Sequence, residues 1–337
     1  MTNRVDDLRA WQIFITYAKT GSLSACAEIL ELEPSSVSRT IAALEKGIGQ
    51  ELVLHNSRPM QLTEVGIRAV KRIEPILRAH RKFLDTLASD SAALQGHIRL
   101  SVAPGFATRR LMPFLTEFAN IYPKIDIDVV IGLKEHDIAM GRCDLGVLTG
   151  EPTLPDLVYM YRGRNVYLPV ASPQYVSTRG MPIHPSDLRE HTVYAYSGPV
   201  RQETKTLCRG NEEISLNLER VVRMADITTI RQAVLAGNGV GLDIPLVQIW
   251  EDLVAGRLVP VMPGWMRRPE DCFIVCSKDN WHFRRVRIFQ QWFAKRMKET
   301  FDGYEDAVAG IVGLPARKDC SSEDVFNTSV RKSSSKK

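Results

Sequence analysis

The 337-residue sequence contains no apolar run that approaches the roughly 20 residues needed for a membrane-spanning helix. The segment from Met1 to Trp11 has four charged residues and no apolar stretch, unlike a secretory signal. Among six cysteines only Cys272 and Cys276 lie close together, and no second pair or nearby His completes a zinc site. The 44% hydrophobic and 25% charged content is ordinary for globular proteins. We therefore expect a cytoplasmic protein of two or three domains, with no membrane partner, metal or cofactor.

The net charge of +5 is modest, but the positive charge is unevenly distributed. Residues 35–82 contain nine Lys or Arg against four Glu, a local excess of five positive charges. A charge run usually marks a solvated face, so this excess does not identify a partner by itself.

The first 60 residues have the pattern of short helices separated by tight turns. One face of the first helix is formed by Leu8, Trp11, Ile15 and Ala18. Ser22 is placed to cap a second helix over 23–30. Pro34 favours a new helix start, and the glycines near residue 48 end that third helix. This order is helix, turn, helix.

The exposed face of the third helix has small or hydrogen-bonding side chains and one arginine. Its members are Ser35, Ser36, Ser38, Arg39 and Thr40. A helix that enters the DNA major groove needs this profile, because bulky side chains would hold it away from the bases. A merely solvated helix face is the alternative, although such faces are usually richer in Glu and Lys. Arg39 suits either a guanine edge or a phosphate.

Two further features follow this helix. Short extended segments around residues 55–59 predict a hairpin wing, with Arg58 at its tip suited to the minor groove or backbone. Thr63 then begins a long helix with an apolar seam at steps of three and four, which favours pairing of two chains over packing within one domain. The seam consists of Val70, Ile73, Leu77, His80, Leu84 and Leu87.

Beyond a linker at 88–96 the pattern changes to strands interleaved with helices. Residues 98–102, 125–131 and 144–148 read as strands, which predicts a mainly parallel sheet covered by helices. The last long helix runs from Phe283 to about Phe301, with one apolar face and many basic residues. We expect that face to pack on a sheet, in preference to a nucleic-acid-binding role for the helix.

The region from Leu8 to Gly66 resembles the DNA-binding domain of LysR-type transcriptional regulators, and weaker likeness extends over about residues 6–300. The matching segments are Gly21-Ser22-Leu23-Ser24, Ala27, Val37-Ser38-Arg39-Thr40-Ile41, Leu44-Glu45, Leu62-Thr63-Glu64, Gly66, Leu111-Met112-Pro113, Tyr122-Pro123, Asp144-Leu145-Gly146-Val147, Pro185-Ser186-Asp187-Leu188 and 233–241. The family commonly has Ser-Gln-Pro where this chain has Glu33-Pro34-Ser35.

The resemblance implies an α/β protein with an N-terminal all-α winged helix-turn-helix at 6–63. A linker and dimerisation helix at 64–92 and an effector-binding domain at 93–301 would follow. That domain would resemble periplasmic binding proteins, with subdomain I at about 97–164 and 270–301 and subdomain II at about 165–269. We interpret 302–337 as a flexible tail. The implied partners are double-stranded promoter DNA, further copies of the chain in a homodimer or homotetramer, and a small-molecule co-inducer.

Ligands of α/β sheets bind beyond the carboxyl ends of the strands and at helix N-termini. Segments at 104–108, 149–150, 197–201 and 226–228 meet this condition. The candidate effector-binding residues are Gly105, Phe106, Thr108, Thr149, Arg201, Ile227 and Thr228. Turn formation and helix capping are the alternative roles of these residue types.

Two other classes of function have less support. The sequence lacks the G-x-S-x-G, H-E-x-x-H and phosphate-loop motifs, so we do not expect an enzyme. The glycines at 237–241 lie between a helix and a strand, which reverses the order of a dinucleotide-binding motif. A solute-binding transport protein is disfavoured by the N-terminal helix-turn-helix.

Overall fold

The computed structural model describes residues 4–54, 61–88, 94–315, 317 and 326–328. The chain divides into two compact units, Met1–Ala92 and Ala93–Lys337.

The first unit is mostly helical. Its elements in chain order are α1 (Leu8–Thr20), α2 (Leu23–Leu30), α3 (Pro34–Ile48), β1 (Val53–Leu54), β2 (Gln61–Leu62) and α4 (Glu64–Ala88). The predicted boundaries are confirmed, since Ser22 caps α2 and Pro34 begins α3. Gly21 and Gly49 end α1 and α3 with φ of 66° and 76°, a backbone conformation that favours glycine. The helices share one apolar core, in which Phe14 is completely buried.

A buried carboxylate connects α3 to the wing. Strands β1 and β2 pair antiparallel, as the predicted hairpin requires. The Oε1 atom of Glu45 accepts hydrogen bonds from the backbone N–H groups of Leu52 at 2.8 Å and Val53 at 3.0 Å. Thr63 caps α4, as predicted, by accepting a bond from the N–H of Gly66 at 3.0 Å. Arg58 and the tip of the wing lie outside the described residues.

The second unit alternates strands and helices. Its elements in chain order are β3 (Gly96–Val102), α5 (Pro104–Arg109), α6 (Leu111–Ile121), β4 (Ile125–Ile131), α7 (Glu135–Ala139), β5 (Leu145–Thr149), β6 (Leu157–Ala171), α8 (Pro173–Arg179), β7 (Thr192–Tyr196), β8 (Thr206–Arg209), β9 (Glu212–Ser215), β10 (Arg220–Met224), α9 (Ile227–Leu235), β11 (Val240–Pro245), α10 (Leu246–Val254), β12 (Val259–Pro260), β13 (Arg267–Ser277), α11 (Lys278–Trp281), α12 (Arg284–Val308) and β14 (Phe326–Thr328). Two 3₁₀ turns, Arg4–Asp6 in the first unit and Pro185–Glu190 in the second, complete the described elements.

The main sheet has the strand order β10-β7-β11-β6-β13-β5-β3-β4. Its outer pairs are parallel, but β13 pairs antiparallel with both β5 and β6, and β11 pairs antiparallel with β6. The prediction of a mainly parallel sheet is therefore wrong at its centre. The periodicity showed only the apolar later parts of β6 and β13, because polar residues interrupt the middle of β6 and form the first part of β13.

The long strands β6 and β13 run through both halves of this unit. We call the half with β3–β5, α5–α7 and α12 subdomain I, and the half with β7–β12 and α8–α10 subdomain II. The predicted crossover points near residues 164 and 270 lie inside β6 and β13, where their pairing register shifts. Each half has its own apolar core, with Phe118 and Phe289 in subdomain I and Trp265 in subdomain II.

The last helix extends past the predicted end of the domain. Its predicted apolar face is buried, as Phe289 and Phe293 show, but the helix continues to Val308. Val308 and Val312 are buried against residues of subdomain II, so the predicted start of the tail at residue 302 is wrong. Val308 lies seven residues after Phe301, or about two helical turns, and Val312 lies four residues further, so both continue the apolar face. The charged residues between Phe301 and Val308, such as Glu305, obscured this spacing. Strand β14 adds antiparallel to β6.

Candidate functional sites: the start of α3 and a cavity between subdomains

The start of α3 presents a polar surface. Ser35, Ser38 and Arg39 are exposed, and Ser36 is half-buried. The Arg39 guanidinium donates to the carbonyl of Ser35 and to the hydroxyl of Ser36, both at 3.2 Å. These bonds hold a positive charge above the first helical turn. Because Arg39 is exposed, it can exchange these bonds for nucleic-acid acceptors at little cost.

Thr40 has a different environment from its neighbours. Its side chain is buried, its hydroxyl donates to the carbonyl of Ser36 at 2.8 Å, and it accepts from Arg4 at 2.7 Å. The sequence analysis placed Thr40 on the exposed face, and the structure corrects this. Thr40 lies three residues after Val37 and four before Leu44, so it shares their buried face. The hydrogen bond to the Thr40 hydroxyl comes from Arg4, a residue that the sequence analysis did not select.

The long helix α4 presents apolar side chains to solvent in the single chain. Ile67, Ile76, Phe83 and Leu84 are each between 46% and 57% exposed. Their spacing shows that apolar surface recurs along most of the helix. A helix that exposes this much apolar surface gains stability by packing against another.

A cavity lies between the subdomains of the second unit. Its volume is about 90 Å³, and a single water occupies roughly 10–15 Å³ on the same scale. The cavity therefore admits several waters or one small organic molecule. Residues from both subdomains line it, including Gly105 and Thr149 from subdomain I and Tyr196, Ile227 and Gln248 from subdomain II, and Arg162 reaches it from the shared strand β6.

The structure brings most of the predicted effector residues together. Gly105, Phe106, Thr149, Arg201 and Ile227 all line the cavity. Thr108 and Thr228 do not. The Thr108 hydroxyl donates to the carbonyl of Pro104 at 3.1 Å, and the Thr228 hydroxyl donates to the carboxylate of Asp226 at 2.5 Å. Each hydroxyl therefore makes a local hydrogen bond at the start of its own helix. Asp226 caps α9.

The positive charge of Arg201 is already neutralised. Its guanidinium donates to the carboxylate of Asp243 at 2.5 Å, and both side chains are buried. It also lies over the rings of Tyr167 and Tyr196, at 4.8 and 4.5 Å from their centroids. Thr204 donates to the same carboxylate. Through Tyr167, Tyr196 and Arg201 this cluster forms part of the cavity wall.

Arg162, which the sequence analysis did not select, is the unneutralised cation of the described cavity lining. Its side chain is 4% exposed, and its Nε and Nη1 atoms have no hydrogen-bond partner among the described residues. The guanidinium lies 5.4 Å from the centroid of the Phe301 ring. Burial lowers the pKa of Arg162, because removal from water disfavours the charged form. A signal was present in the sequence, since Arg162 shares the inward parity of Val158 and Met160 on β6.

Gln248 contributes a second unpaired polar group. It is 2% exposed, and its Oε1 atom has no partner in the described part of the chain. A buried acceptor in this state carries a desolvation cost that a ligand donor would remove. Gln248 lies on α10, which the sequence analysis did not associate with a site.

An ion-pair cluster next to the cavity joins the subdomains. Arg110, at the start of α6, donates to both carboxylate oxygens of Glu251 on α10, at 3.0 and 3.1 Å. Arg109 pairs with the same carboxylate at 3.1 Å. The hydrogen bonds from Arg110 hold the pKa of Glu251 below its usual value.

A winged helix-turn-helix unit joined to a two-subdomain α/β unit with a cavity defines a class of DNA-binding transcription regulators with an effector domain. Two family models match this chain, the bacterial regulatory helix-turn-helix protein of the lysR family over residues 8–67 and the LysR substrate binding domain over residues 91–298. The chain belongs to the LysR family of transcription regulators. The family model and the similar proteins are described as transcription regulators.

Similar proteins span nearly the same length. The HTH-type regulator YhjC of Escherichia coli K12 is 30% identical over 304 residues, covering 88% of this chain and all of that protein. The glycine cleavage system transcriptional activator of the same strain is 26% identical over 292 residues, covering 87% and 94%. The solved structure of the full-length virulence activator AphB of Vibrio cholerae has a TM-score of 0.60 at 24% identity, covering 85% and 98%. CrgA of Neisseria meningitidis has a TM-score of 0.55 at 20% identity, covering 86% and 98%, and both structures share the fold.

The helices were also compared with the requirements of a membrane span. Within residues 4–54, 61–88, 94–315, 317 and 326–328, none of the helices combines the length and apolar character that a membrane span needs.

Proposed function

We propose that this chain reads promoter DNA with the start of α3 and takes a small-molecule effector into the cavity between subdomains I and II. The observation that carries this proposal is the composition of the cavity wall, to which both subdomains contribute polar groups. Since its DNA partner lies in the cytoplasm, we place the protein there.

In the DNA complex, Ser35, Ser38 and Arg39 would face the major groove. Their hydroxyl and guanidinium donors suit phosphate oxygens and base edges, and Arg39 alone adds a charge. Ser36 would position Arg39 through its existing hydrogen bond. Thr40 would support α3 from its buried face. Arg58 remains a proposed contact of the wing.

The effector would act by favouring one arrangement of the two subdomains. A molecule that contacts Arg162 and Gln248 together binds the closed arrangement better than an open one. Only such a difference in affinity can shift the population of the two arrangements. In an oligomer, this shift would change the setting of the paired α4 helices and hence the spacing of the DNA contacts.

We propose a homodimer or homotetramer, because α4 exposes apolar side chains along its length. Paired α4 helices would place two reading helices on half-sites separated by about one DNA turn or a multiple of it. This geometry predicts an inverted repeat in the operator.

Selection of genomic fragments by the purified full chain, at controlled salt, tests the proposal. We expect enrichment of a few promoters that carry an inverted repeat, and loss of that enrichment in Arg39→Ala. Equal enrichment by both proteins would remove Arg39 from the site. Absence of sequence preference in the wild type, with and without the ligand probes described below, would contradict the regulatory function.

A further inference from the structure

We infer that the effector is a small monocarboxylate, and that its carboxylate pairs with Arg162 inside the cavity. This inference rests on the proposed function, because it assigns a chemical class to the ligand of the same cavity.

The state of Arg162 differs from that of the arginines around it. Arg201 pairs with Asp243, Arg110 pairs with Glu251, and Arg164 pairs with Glu305 at 2.7 Å. The described residues give Arg162 no carboxylate partner, and two of its nitrogen atoms are buried without any acceptor.

An uncompensated buried charge is strongly unfavourable, and buried charges in proteins are normally paired with an opposite charge. A ligand can supply the missing partner. A guanidinium presents parallel donors that match the two oxygens of a carboxylate. Arg162 therefore has the chemistry of a carboxylate site with the carboxylate still to be supplied.

The charge balance of the cavity favours a single negative charge on the ligand. Arg162 supplies one unneutralised cation, whereas the Arg201 charge is used by Asp243. A phosphate monoester, with nearly two negative charges, would bring a second charge into a buried volume without a counter-ion. Asp226 also lines the cavity, and its carboxylate is stabilised in the charged form by hydrogen bonds from Thr228 and Thr229 at the start of α9, so it further disfavours a second negative charge on the ligand.

The other lining residues indicate the chemistry of the rest of the ligand. Phe106, Ile227 and Phe301 provide apolar contact, which suits a short hydrocarbon or aromatic body. The unpaired Oε1 of Gln248 needs a donor, which a hydroxyl or amino group on that body would supply. The ligand class is thus a small hydroxy- or amino-monocarboxylate.

The test compares acids with their neutral amides of nearly equal shape. The probes are glycolate against glycolamide and 3-hydroxybenzoate against 3-hydroxybenzamide, titrated into the DNA-free full chain at constant ionic strength and pH. Binding is followed by the shift of the thermal unfolding midpoint. For at least one pair we expect the wild type to bind the acid at least about tenfold more tightly than the amide.

Two variants identify the residue responsible. Arg162→Met should abolish the preference, so that acid and amide bind with about equal affinity. Without a probe this variant should be at least as stable as the wild type, because it removes an unpaired buried charge. Arg164→Met is the matched control, since it makes the same change two residues away on β6. It should lose stability with its Glu305 partner and keep the preference for the acid.

Three results would overturn the inference: no preference for the acid in either pair, whether the affinities are equal, the amide binds more tightly or neither acid binds; an unchanged preference for the acid in Arg162→Met; or its loss in Arg164→Met alone. If the amides bind and the acids do not, the cavity is still a ligand site and the proposed function stands. The genomic selection described above tests that function without any reference to ligand charge.

Discussion

Arg201 and Asp243 form a buried ion pair in the wall of the cavity, with a nitrogen-to-oxygen distance of 2.5 Å. The two residues lie 42 positions apart in the chain. Asp243 is on β11 in the interior of subdomain II. Arg201 is in a loop, and its guanidinium lies over the rings of Tyr167 and Tyr196. The pair therefore fixes a loop to the sheet and leaves Arg162 as the unneutralised cation of the described lining.

Asp243→Asn should destabilise the protein by about 3–5 kcal/mol, because it leaves the Arg201 charge buried without its counter-ion. Urea unfolding of the full chain measures this loss. Glu212→Gln is the control, since Glu212 pairs with Arg209 where both side chains are half-exposed, and such pairs contribute about 0–1 kcal/mol. Similar losses in the two variants would contradict the structural role of the Arg201–Asp243 pair.

Gly105→Ala should force the walls of the cavity apart. An added Cβ would lie 2.5 Å from Cγ2 of Ile227, a residue of the opposite subdomain. Overpacking of this kind costs about 1–3 kcal/mol of unfolding free energy. Ile227→Ala removes the clashing methyl group, so a double-mutant cycle in urea should recover most of the Gly105→Ala loss. Purely additive losses would show that the two residues do not meet.

Gly303→Ala provides a comparison for the added methyl group itself. Gly303 lies within α12 and an added Cβ would meet no atom within 4 Å. We expect this variant to gain about 0.5–1 kcal/mol, because alanine is the better helix former.

Glu45→Ala should weaken the attachment of the wing to α3. The variant loses two backbone hydrogen bonds to a buried carboxylate, at Leu52 and Val53, and bonds to charged groups contribute about 1.5–3 kcal/mol. Thermal unfolding monitored on the first unit measures the effect. Glu51→Ala, at an exposed position six residues later, should change stability by no more than about 0.5 kcal/mol. Equal effects at both positions would argue against the proposed connection.

Arg39→Ala should weaken binding to the selected operator by about 1–3 kcal/mol. Lys46→Ala controls for the loss of one positive charge, because Lys46 is exposed near the other end of the same helix. Fluorescence titration at two or more salt concentrations separates the contact from the general electrostatic contribution. The DNA-reading role of Arg39 fails if both variants lose the same affinity at every salt concentration.

His191 should make the stability of subdomain II depend on pH below neutrality. Burial lowers the pKa of His191 below its ordinary value of 6.5, and Nδ1 lies 3.1 Å from the hydroxyl of Tyr175. The unfolded chain then binds a proton more readily than the native one. The contribution of His191 is therefore complete above pH 6.5 and is lost as the pH falls from there through the lowered native pKa.

We expect His191→Gln to reduce the fall in urea midpoint between pH 7.5 and 5.5. His136→Gln should preserve the wild-type slope, because His136 is exposed on α7. A slope in His191→Gln equal to that of the wild type would exclude His191 as a source of the pH dependence.

The local limits of the reading domain were accessible from residue types alone. Ser22, Pro34 and the glycines at 21 and 49 act on the backbone within one helical turn, so the bounds of α1, α2 and α3 follow from capping chemistry. Thr40 was misplaced because it has a polar side chain on a buried face. Its partner Arg4 lies 36 residues earlier, which no periodicity within α3 can reveal.

The cavity shows the same division between near and distant interactions. Gly105, Thr149 and Ile227 follow strands or begin helices, so the general rule for α/β sheets found them. The partner of each arginine depended on the fold. The sequence does not distinguish Arg201 from Arg162, because both are arginines. The fold brings the carboxylate of Asp243 from a distant strand to Arg201 and neutralises its charge. Helix limits arise from contacts a few residues apart, whereas the charge left inside the cavity depends on which distant segments pack together.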